Sequence, residues 1–328
     1  MQNIVREMAM NRGKELKIVI VTGPTASGKS QLATNISTHF GGEIINADSM
    51  QVYRDLRILS ARPKPEEEMQ LPHHLYGVVA ASKRCSAGEW LRMAKAVIYD
   101  IHSRGTLPVV CGGTGLYIKV LMEGIAQIPS VPEALASEGR SLLQLHGIQA
   151  VYQRLLELDK NAADRLNPND THRILRAYEV IRATGRSLNE WQSGSLSLSP
   201  LNACFIIVCL MPDRVALYRK IEDRIDEMLQ AGALEEVAAL NRLKIDPEMP
   251  VMKALGVPSF RNYLNGNCNL ENSVKDAKQV TRNYAKRQMT WFRNQIKPDI
   301  VHANFGAEAF DCIKPILASR LVHRKQKN

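Results

Sequence analysis

Gly23-Pro24-Thr25-Ala26-Ser27-Gly28-Lys29-Ser30 stands directly after the apolar stretch Leu16 to Thr22. The run is G-x-x-x-x-G-K-[ST], set between a predicted strand and a predicted helix from Lys29 to Phe40. In that context the motif forms a phosphate-binding loop. Its glycines let backbone N–H groups approach phosphate oxygens, Lys29 adds a point charge, and the helix N-terminus favours anions. The hydroxyl of Ser30 is placed to ligate Mg²⁺, the one cofactor the motif implies. Gly23, Pro24, Thr25, Ala26, Ser27, Gly28, Lys29 and Ser30 are therefore the candidate site for a diphosphate or polyphosphate. The motif leaves open which phosphate compound binds and whether a phosphoryl group moves.

Outward from the loop, strands are expected at Leu16–Thr22, Glu43–Ala47, Leu107–Cys111 and Cys204–Leu210, with a further short one near Ile300–Ala303. A helix is expected from Ser86 to Arg104, opened by the capping-box pair Ser86 and Glu89 and stopped at Gly105. Strands alternating with helices argue for an α/β fold with a mostly parallel sheet flanked by helices. Sites in such sheets lie at the carboxyl ends of the strands. The loop, Asp48 and Thr114 all fall at that edge. Ile128-Pro129-Ser130-Val131-Pro132 reads as a boundary, and helical patterns take over until the return linker Ser193–Pro200. The expected organisation is a flexible extension over 1–15, a core over 16–127 and 200–310, an all-helical insertion over 128–199, and a basic tail over 311–328.

Composition sets limits. The chain has 328 residues, 45% of them hydrophobic, enough for a sizeable core. No apolar run approaches the ~18 residues of a membrane span, and the polar start lacks a signal-peptide core. The six cysteines show no C-x-x-C pair or zinc spacing. These features point to a cytoplasmic protein with reduced thiols and no membrane partner, and nothing requires more than a monomer. The net charge of +10 suits a polyanionic partner.

That charge is patterned. On a helix over Thr171–Ala183, Ile174, Leu175, Ala177, Tyr178 and Ile181 share one face, while His172, Arg173 and Arg176 share another sector, with Asp170 as N-cap. Over Ser273–Arg293, the cations Lys275, Lys278, Arg282, Lys286 and Arg293 fall within an arc of roughly 80°. Ala277, Val280, Tyr284 and Trp291 lie opposite. Cations without a carboxylate on one stripe suit a nucleic-acid backbone.

Few residues can carry chemistry. The third strand ends Cys111-Gly112-Gly113-Thr114, without the acid that phosphate-loop nucleoside triphosphatases place there for Mg²⁺. Asp48 is the carboxylate available, for metal or as a general base, or simply to cap its turn. Thr114 sits in a Gly-rich turn that permits close approach of a ligand. Arg224 flanks the apolar face formed by Leu217, Ile221, Ile225 and Met228, able to reach an anionic ligand or to pair with Asp223 or Glu227. His73-His74 lacks the partners of a metal site.

Taken together, these segments resemble the tRNA dimethylallyltransferase family, also called tRNA isopentenyltransferases. The resemblance runs in order through Gly23–Ser30, Asn46–Tyr53, Ala61–Pro65, Pro72–Leu75, Gly112–Tyr117, His172–Val180 and Ala285–Arg293. It implies transfer of a dimethylallyl group from dimethylallyl diphosphate to the exocyclic amine of adenosine 37, in tRNAs reading codons that begin with U. Diphosphate leaves and no phosphoryl group moves. By the same resemblance, Lys29 and Arg224 hold the diphosphate and Ser30 the Mg²⁺. Asp48 accepts a proton from the adenine amine or orients it, and Thr114 positions a substrate. Asp48, Ser49, Met50, Gln51, Thr114, His172, Arg173, Ile174, Leu175, Arg176 and the stripe Lys275, Lys278, Arg282, Lys286 and Arg293 contact the tRNA anticodon stem-loop. The chain departs from the family pattern at His172, at Val257 and at Val131-Pro132-Glu133. A nucleotide or small-molecule kinase, and an RNA-binding protein without turnover, share some of these features.

Overall fold

The computed structural model describes residues 15–126, 128–194, 196–198 and 201–322. The expected extension over 1–15 lies outside the described residues apart from Glu15.

The chain divides into two compact units. The larger, Met1–Met122 with Leu201–Asn328, is built on strands β1 (Lys17–Thr22), β2 (Gly42–Asn46), β3 (His73–His74), β4 (Leu107–Gly112), β7 (Cys204–Leu210) and β8 (Ile300–His302). They form one sheet in the order β3-β2-β4-β1-β7-β8, and every pairing in it is parallel. Strands covered on both faces read as continuous apolar runs. Hence β1 is Lys-Ile-Val-Ile-Val-Thr, with its last five residues buried. Register aligns the strand ends: Thr22 pairs with Gly112 on one side and Cys209 on the other, and Asn46 pairs with Cys111. This brings the turns that follow β1, β2 and β4 to one edge.

Helices α1 (Lys29–Phe40), α2 (Pro65–Gln70), α3 (Ala87–Ser103) and α4 (Gly115–Glu123) follow in the first half of this unit. The capping box of α3 forms as its sequence requires: Ser86 accepts from the Glu89 N–H at 3.1 Å, and Glu89 accepts from the Ser86 N–H at 3.1 Å. After β7 come α9 (Arg214–Gln230), α10 (Ala233–Arg242), α11 (Val257–Leu264) and α12 (Leu270–Gln295). The chain then closes through β8 and α13 (Gly306–Val322).

Residues 311–322 are not a tail. They lie in α13, whose Ala309, Ile313 and Leu317 are fully buried against Leu32 and Ile36 of α1 and Val19, Val21 and Val208 of the sheet. Burying Ile313 and Leu317 contributes about 1.5–3 kcal/mol each, which holds this segment on the sheet despite its basic residues.

The smaller unit is Glu123–Pro200. Its helices are α5 (Glu133–Leu158, broken at Gly147), α6 (Lys160–Ala163), α7 (Thr171–Thr184) and α8 (Leu188–Ser193). Val151 and Leu155 of α5 pack on Ile174, Ala177 and Tyr178 of α7, and Asp170 caps α7 by accepting from the Arg173 N–H at 3.2 Å. The unit is not wholly helical. β5 (Ile125–Ala126) pairs antiparallel with β6 (Leu196–Leu198), inside the stretch read as a linker. Strands of two or three residues arise from pairing and carry no alternating pattern of their own.

Candidate active site

The loop Gly23–Ser30 leaves β1 at its carboxyl end and enters α1. Gly28 takes a left-handed conformation at the cap of α1 (φ 81°). The N-terminus of α1 therefore points its unpaired amides into the loop, the arrangement that attracts anions. Lys29 folds back so that its ammonium donates to the Pro24 carbonyl at 3.0 Å. Its pKa is lowered, chiefly because burial strips water from the charge, and Asp48 partly offsets this. The Ser27 hydroxyl is buried without a hydrogen-bond partner.

Asp48 follows β2 in a tightly specified turn. Its N–H donates to Asn46 Oδ1 at 2.8 Å, and its Oδ1 accepts from the Met50 N–H at 2.9 Å. Asn46 is itself fixed. Its Nδ2 donates to the Asp48 and Leu75 carbonyls, and its own carbonyl accepts from the indole of buried Trp90 at 2.8 Å. Thr114, after β4, closes on this turn from the side. Its N–H donates to the Ala47 carbonyl at 3.2 Å, and its Oγ1 accepts from the Ser49 N–H at 2.9 Å. The Gln51 amide donates to the Ser60 and Ala61 carbonyls at 3.0 and 2.8 Å, so this side chain holds a neighbouring loop.

Arg224 comes from α9, whose Leu217, Ile221 and Ile225 are buried. Its pKa is lowered by burial, with Asp48 and Glu227 acting against that shift. Among the described residues no carboxylate lies within 4 Å of it, so the alternative of a pair with Asp223 or Glu227 does not form. A narrow cavity of about 40 Å³ adjoins it, lined by Thr25, Ala26, Leu59, Ile225 and Leu255. Lys29 and Arg224 are thus both partly desolvated cations, and Asp48 acts on each of them; cations taken out of water favour an anionic ligand.

Two residues of α12 belong here and were not singled out as site residues in the sequence. Buried Gln288 joins the loop to the end of β4: its Oε1 accepts from the Thr25 N–H at 2.8 Å, and its Nε2 donates to the Gly113 carbonyl at 2.9 Å. Tyr284 stays protonated because burial and the Asp48 charge both raise its pKa, while a hydrogen bond with Gln288 works the other way. A signal was present. Ser273, Ala277, Thr281, Ala285, Gln288 and Phe292 recur at helical spacing and are the buried side of α12. Over its first half that face is small and partly polar, with Met289 and Phe292 joining it near the C-terminus; of the Ala277, Val280, Tyr284 and Trp291 line expected opposite the cations, Ala277 is on it and Val280 is exposed.

Other expected contacts separate. Lys278 pairs with Asp226 at 2.7 Å and Arg282 with Glu222, both acids on α9. The carboxylates missing from the stripe come from the neighbouring helix, which corrects the reading of five cations without an acid. Lys275, Lys286 and Arg293 are exposed. In the smaller unit, His172, Arg173 and Arg176 are exposed on α7, with Arg173 3.6 Å from Asp170 and Arg176 3.9 Å from Glu179. Ile174 is fully buried and Leu175 packs on the same core, so they are core residues rather than surface contacts. His74 meets Glu43 at 2.7 Å and His73 the Leu71 carbonyl at 2.7 Å. Among the described residues no group of three His, Cys, Asp or Glu could hold a metal. No described helix is long and apolar enough to cross a membrane.

A phosphate loop after a central strand of a parallel sheet, with the Asp48 and Thr114 turns at the same edge, defines a phosphate-loop α/β protein with a candidate anion site. The IPP transferase family model matches residues 51–295, and the isopentenyl transferase model matches 16–77. The chain belongs to the IPP transferase family. It is 46% identical to the tRNA dimethylallyltransferase of Rhodospirillum rubrum over 284 residues, covering 87% of each protein. Among solved structures, the full-length tRNA isopentenylpyrophosphate transferase of Bacillus halodurans matches with a TM-score of 0.66 at 32% identity, covering 94% of this chain and 97% of that one. A eukaryotic dimethylallyltransferase acting on tRNA matches with a TM-score of 0.77 at 28% identity, covering 94% of this chain and 81% of that one.

Proposed function

We propose that the protein works in the cytoplasm, where it transfers the dimethylallyl group of dimethylallyl diphosphate to the exocyclic amine of adenosine 37 in tRNAs that read codons beginning with U. The amine nitrogen bonds to the allylic methylene carbon as the carbon–oxygen bond breaks. The products are isopentenyladenosine and diphosphate, and the amine loses one proton. The observation that carries this reading is the joining of three turns at one sheet edge: the Asp48 turn is bound to Thr114 (Ser49 N–H to Oγ1, 2.9 Å), and Gln288 ties the phosphate loop to Gly113. Lys29 and Arg224 add two partly desolvated cations on which Asp48 acts.

The roles follow from charge. The amides of Gly28, Lys29 and Ser30, with the Lys29 ammonium and the Arg224 guanidinium, hold the diphosphate and stabilise the charge that grows on it as it departs. Asp48, fixed by Asn46 and Met50, takes the amine proton or orients the amine. Thr114 fixes the turn beside Asp48 and positions the base. The adenine leaves its stack to reach the allylic carbon.

Ser30, exposed in the first turn of α1, fits a Mg²⁺ ion in chemistry. Mg²⁺ takes hard oxygen donors and is commonly held by few protein ligands plus substrate phosphates. When bound it neutralises charge on the leaving diphosphate.

The test is incubation with labelled dimethylallyl diphosphate and unmodified tRNA. Label in the RNA supports the proposal. A phosphorylated product or ATP hydrolysis without labelled RNA supports a kinase instead.

A further inference from the structure

Residues 57–61 form neither helix nor strand, yet Leu59, Ser60 and Ala61 line the cavity beside Arg224. Irregular backbone away from water must find partners for its polar groups. The Arg57 and Ile58 carbonyls accept from the Arg62 and Ala61 N–H groups at 3.0 and 2.9 Å, which closes the segment into one tight turn. As at the start of a helix, its leading amides have no partner inside the turn.

Those amides all donate to a single side chain. Glu236 Oε1 accepts from the Arg57 and Ile58 N–H groups at 2.6 and 2.7 Å, and Oε2 accepts from the Leu59 N–H at 2.9 Å. Glu236 stands in the first turn of α10, whose Ala233, Val237 and Leu240 are buried, so the carboxylate is presented from a fixed helix. Hydrogen bonds to an ionised acceptor are roughly twice as strong as neutral ones, and three of them fix both the position and the tilt of the turn. At its other end the Gln51 amide holds the Ser60 and Ala61 carbonyls. Between the two clamps Ala61 is held in the left-handed region, at φ 51°. A residue with a Cβ rarely stays there unless its surroundings over-determine it.

The cavity that this turn walls is narrow, about 40 Å³, and Thr25 and Ala26 of the phosphate loop line it together with Arg224, Met228 and Leu255. A cation and a phosphate loop beside apolar walls suit a diphosphate joined to a short hydrocarbon. We propose that Glu236 is a positioning residue of the transfer reaction: by capping the turn it sets the wall made by Leu59 and Ala61, and with it the length of prenyl chain the site accepts. The inference rests on the reading of the protein as a prenyltransferase. Glu236 acts through the turn and touches no reacting group.

The test offers dimethylallyl diphosphate and its longer homologue geranyl diphosphate in competition for unmodified tRNA, with KM for RNA and for dimethylallyl diphosphate measured separately. Glu236→Ala leaves three amides without their acceptor. KM for dimethylallyl diphosphate should rise about tenfold, and KM for RNA should stay put. The preference for dimethylallyl over geranyl should fall about tenfold. A smaller folded fraction lowers the rate with both donors alike, so this preference separates positioning from lost stability. Glu236→Gln keeps one oxygen for Arg57 and Ile58 and should fall between wild type and Glu236→Ala. Glu235→Ala, at the exposed neighbouring position, should match wild type. Where Glu236→Ala yields no folded protein, the preference is read in Glu236→Gln, with a fall of about threefold expected. Wild-type preference in the variant so read overturns the role of Glu236, as does an equal effect of Glu235→Ala; transfer by the wild-type enzyme then leaves the functional reading standing. Wild-type enzyme that transfers neither group rejects the functional reading, and this inference with it.

Discussion

The Gln288 carboxamide and the Thr25 amide form a hydrogen bond of 2.8 Å across 263 positions of sequence. The same carboxamide donates to Gly113, so one buried side chain sets the spacing between the phosphate loop and the turn that carries Thr114. Gln288→Leu would leave a buried donor and a buried acceptor unpaired, each worth about 1–3 kcal/mol. Loss of about 2–4 kcal/mol in denaturant unfolding is expected, with a rise in KM for the allylic diphosphate. Gln288→Glu keeps the acceptor for Thr25 and should lose less in KM.

Lys29 carries a cost in the free protein. Its folded-state pKa lies below its unfolded value, so between the two the unfolded chain binds more protons and stability rises with pH. Lys29→Met removes this dependence and should stabilise the free protein by about 1 kcal/mol or more at neutral pH. It should also cost at least ~2 kcal/mol of transition-state stabilisation in the transfer assay. Thermal unfolding across pH 7–10 checks the first, and kcat/KM the second. An unstabilised variant would show that the ammonium is better solvated than its position indicates.

Asp48→Asn preserves the turn, because the amide oxygen can still accept from Met50. A fall of about 10²–10⁴ in kcat is expected, with tRNA affinity within a few fold of wild type. A rate near wild type would remove proton transfer from the role of this residue.

Glu43 provides an acid-sensitive lock at the start of β2. Its buried carboxylate binds the Arg104 guanidinium, with one contact at 2.9 Å, and faces His74. The hydrogen bond from Arg104 is the main cause of its lowered pKa, opposed by desolvation. A depressed carboxyl pKa gives stability that is complete above the unfolded value near 4.3 and is lost as pH falls through the folded one. Glu43→Gln should therefore cost about 1–3 kcal/mol at pH 7, and the difference from wild type should shrink below about pH 4.

Much of this was legible in the chain. The phosphate loop, β1, β4 and β7 announce themselves because a parallel strand covered on both faces must be a continuous apolar run. The α3 capping box is read from two residues. Asp48, Thr114 and Arg224 could be named because their strands and helix were identified first. Gln288 was not, since its partners Thr25 and Gly113 are remote in sequence and the buried positions leading up to it, Ser273, Ala277, Thr281 and Ala285, carry little hydrophobic signal. The pairing of Lys278 and Arg282 with α9 was hidden for the same reason: a stripe examined on one helix says nothing of the acids on the next. Residues 311–322 read as a tail because lysines and arginines surround Ile313 and Leu317, whose burial depends on the approach of α1.

At the far end of the chain, the Gly306 N–H donates to the Ser27 carbonyl at 3.2 Å, and a Cβ on Gly306 would come within 1.8 Å of the Gly28 oxygen. A turn that leaves the first strand of the sheet is thus completed by a segment that follows the sheet's last strand. A polypeptide terminated before Phe305 would carry every proposed catalytic group and still lack a finished cradle, so it should be inert rather than partly active.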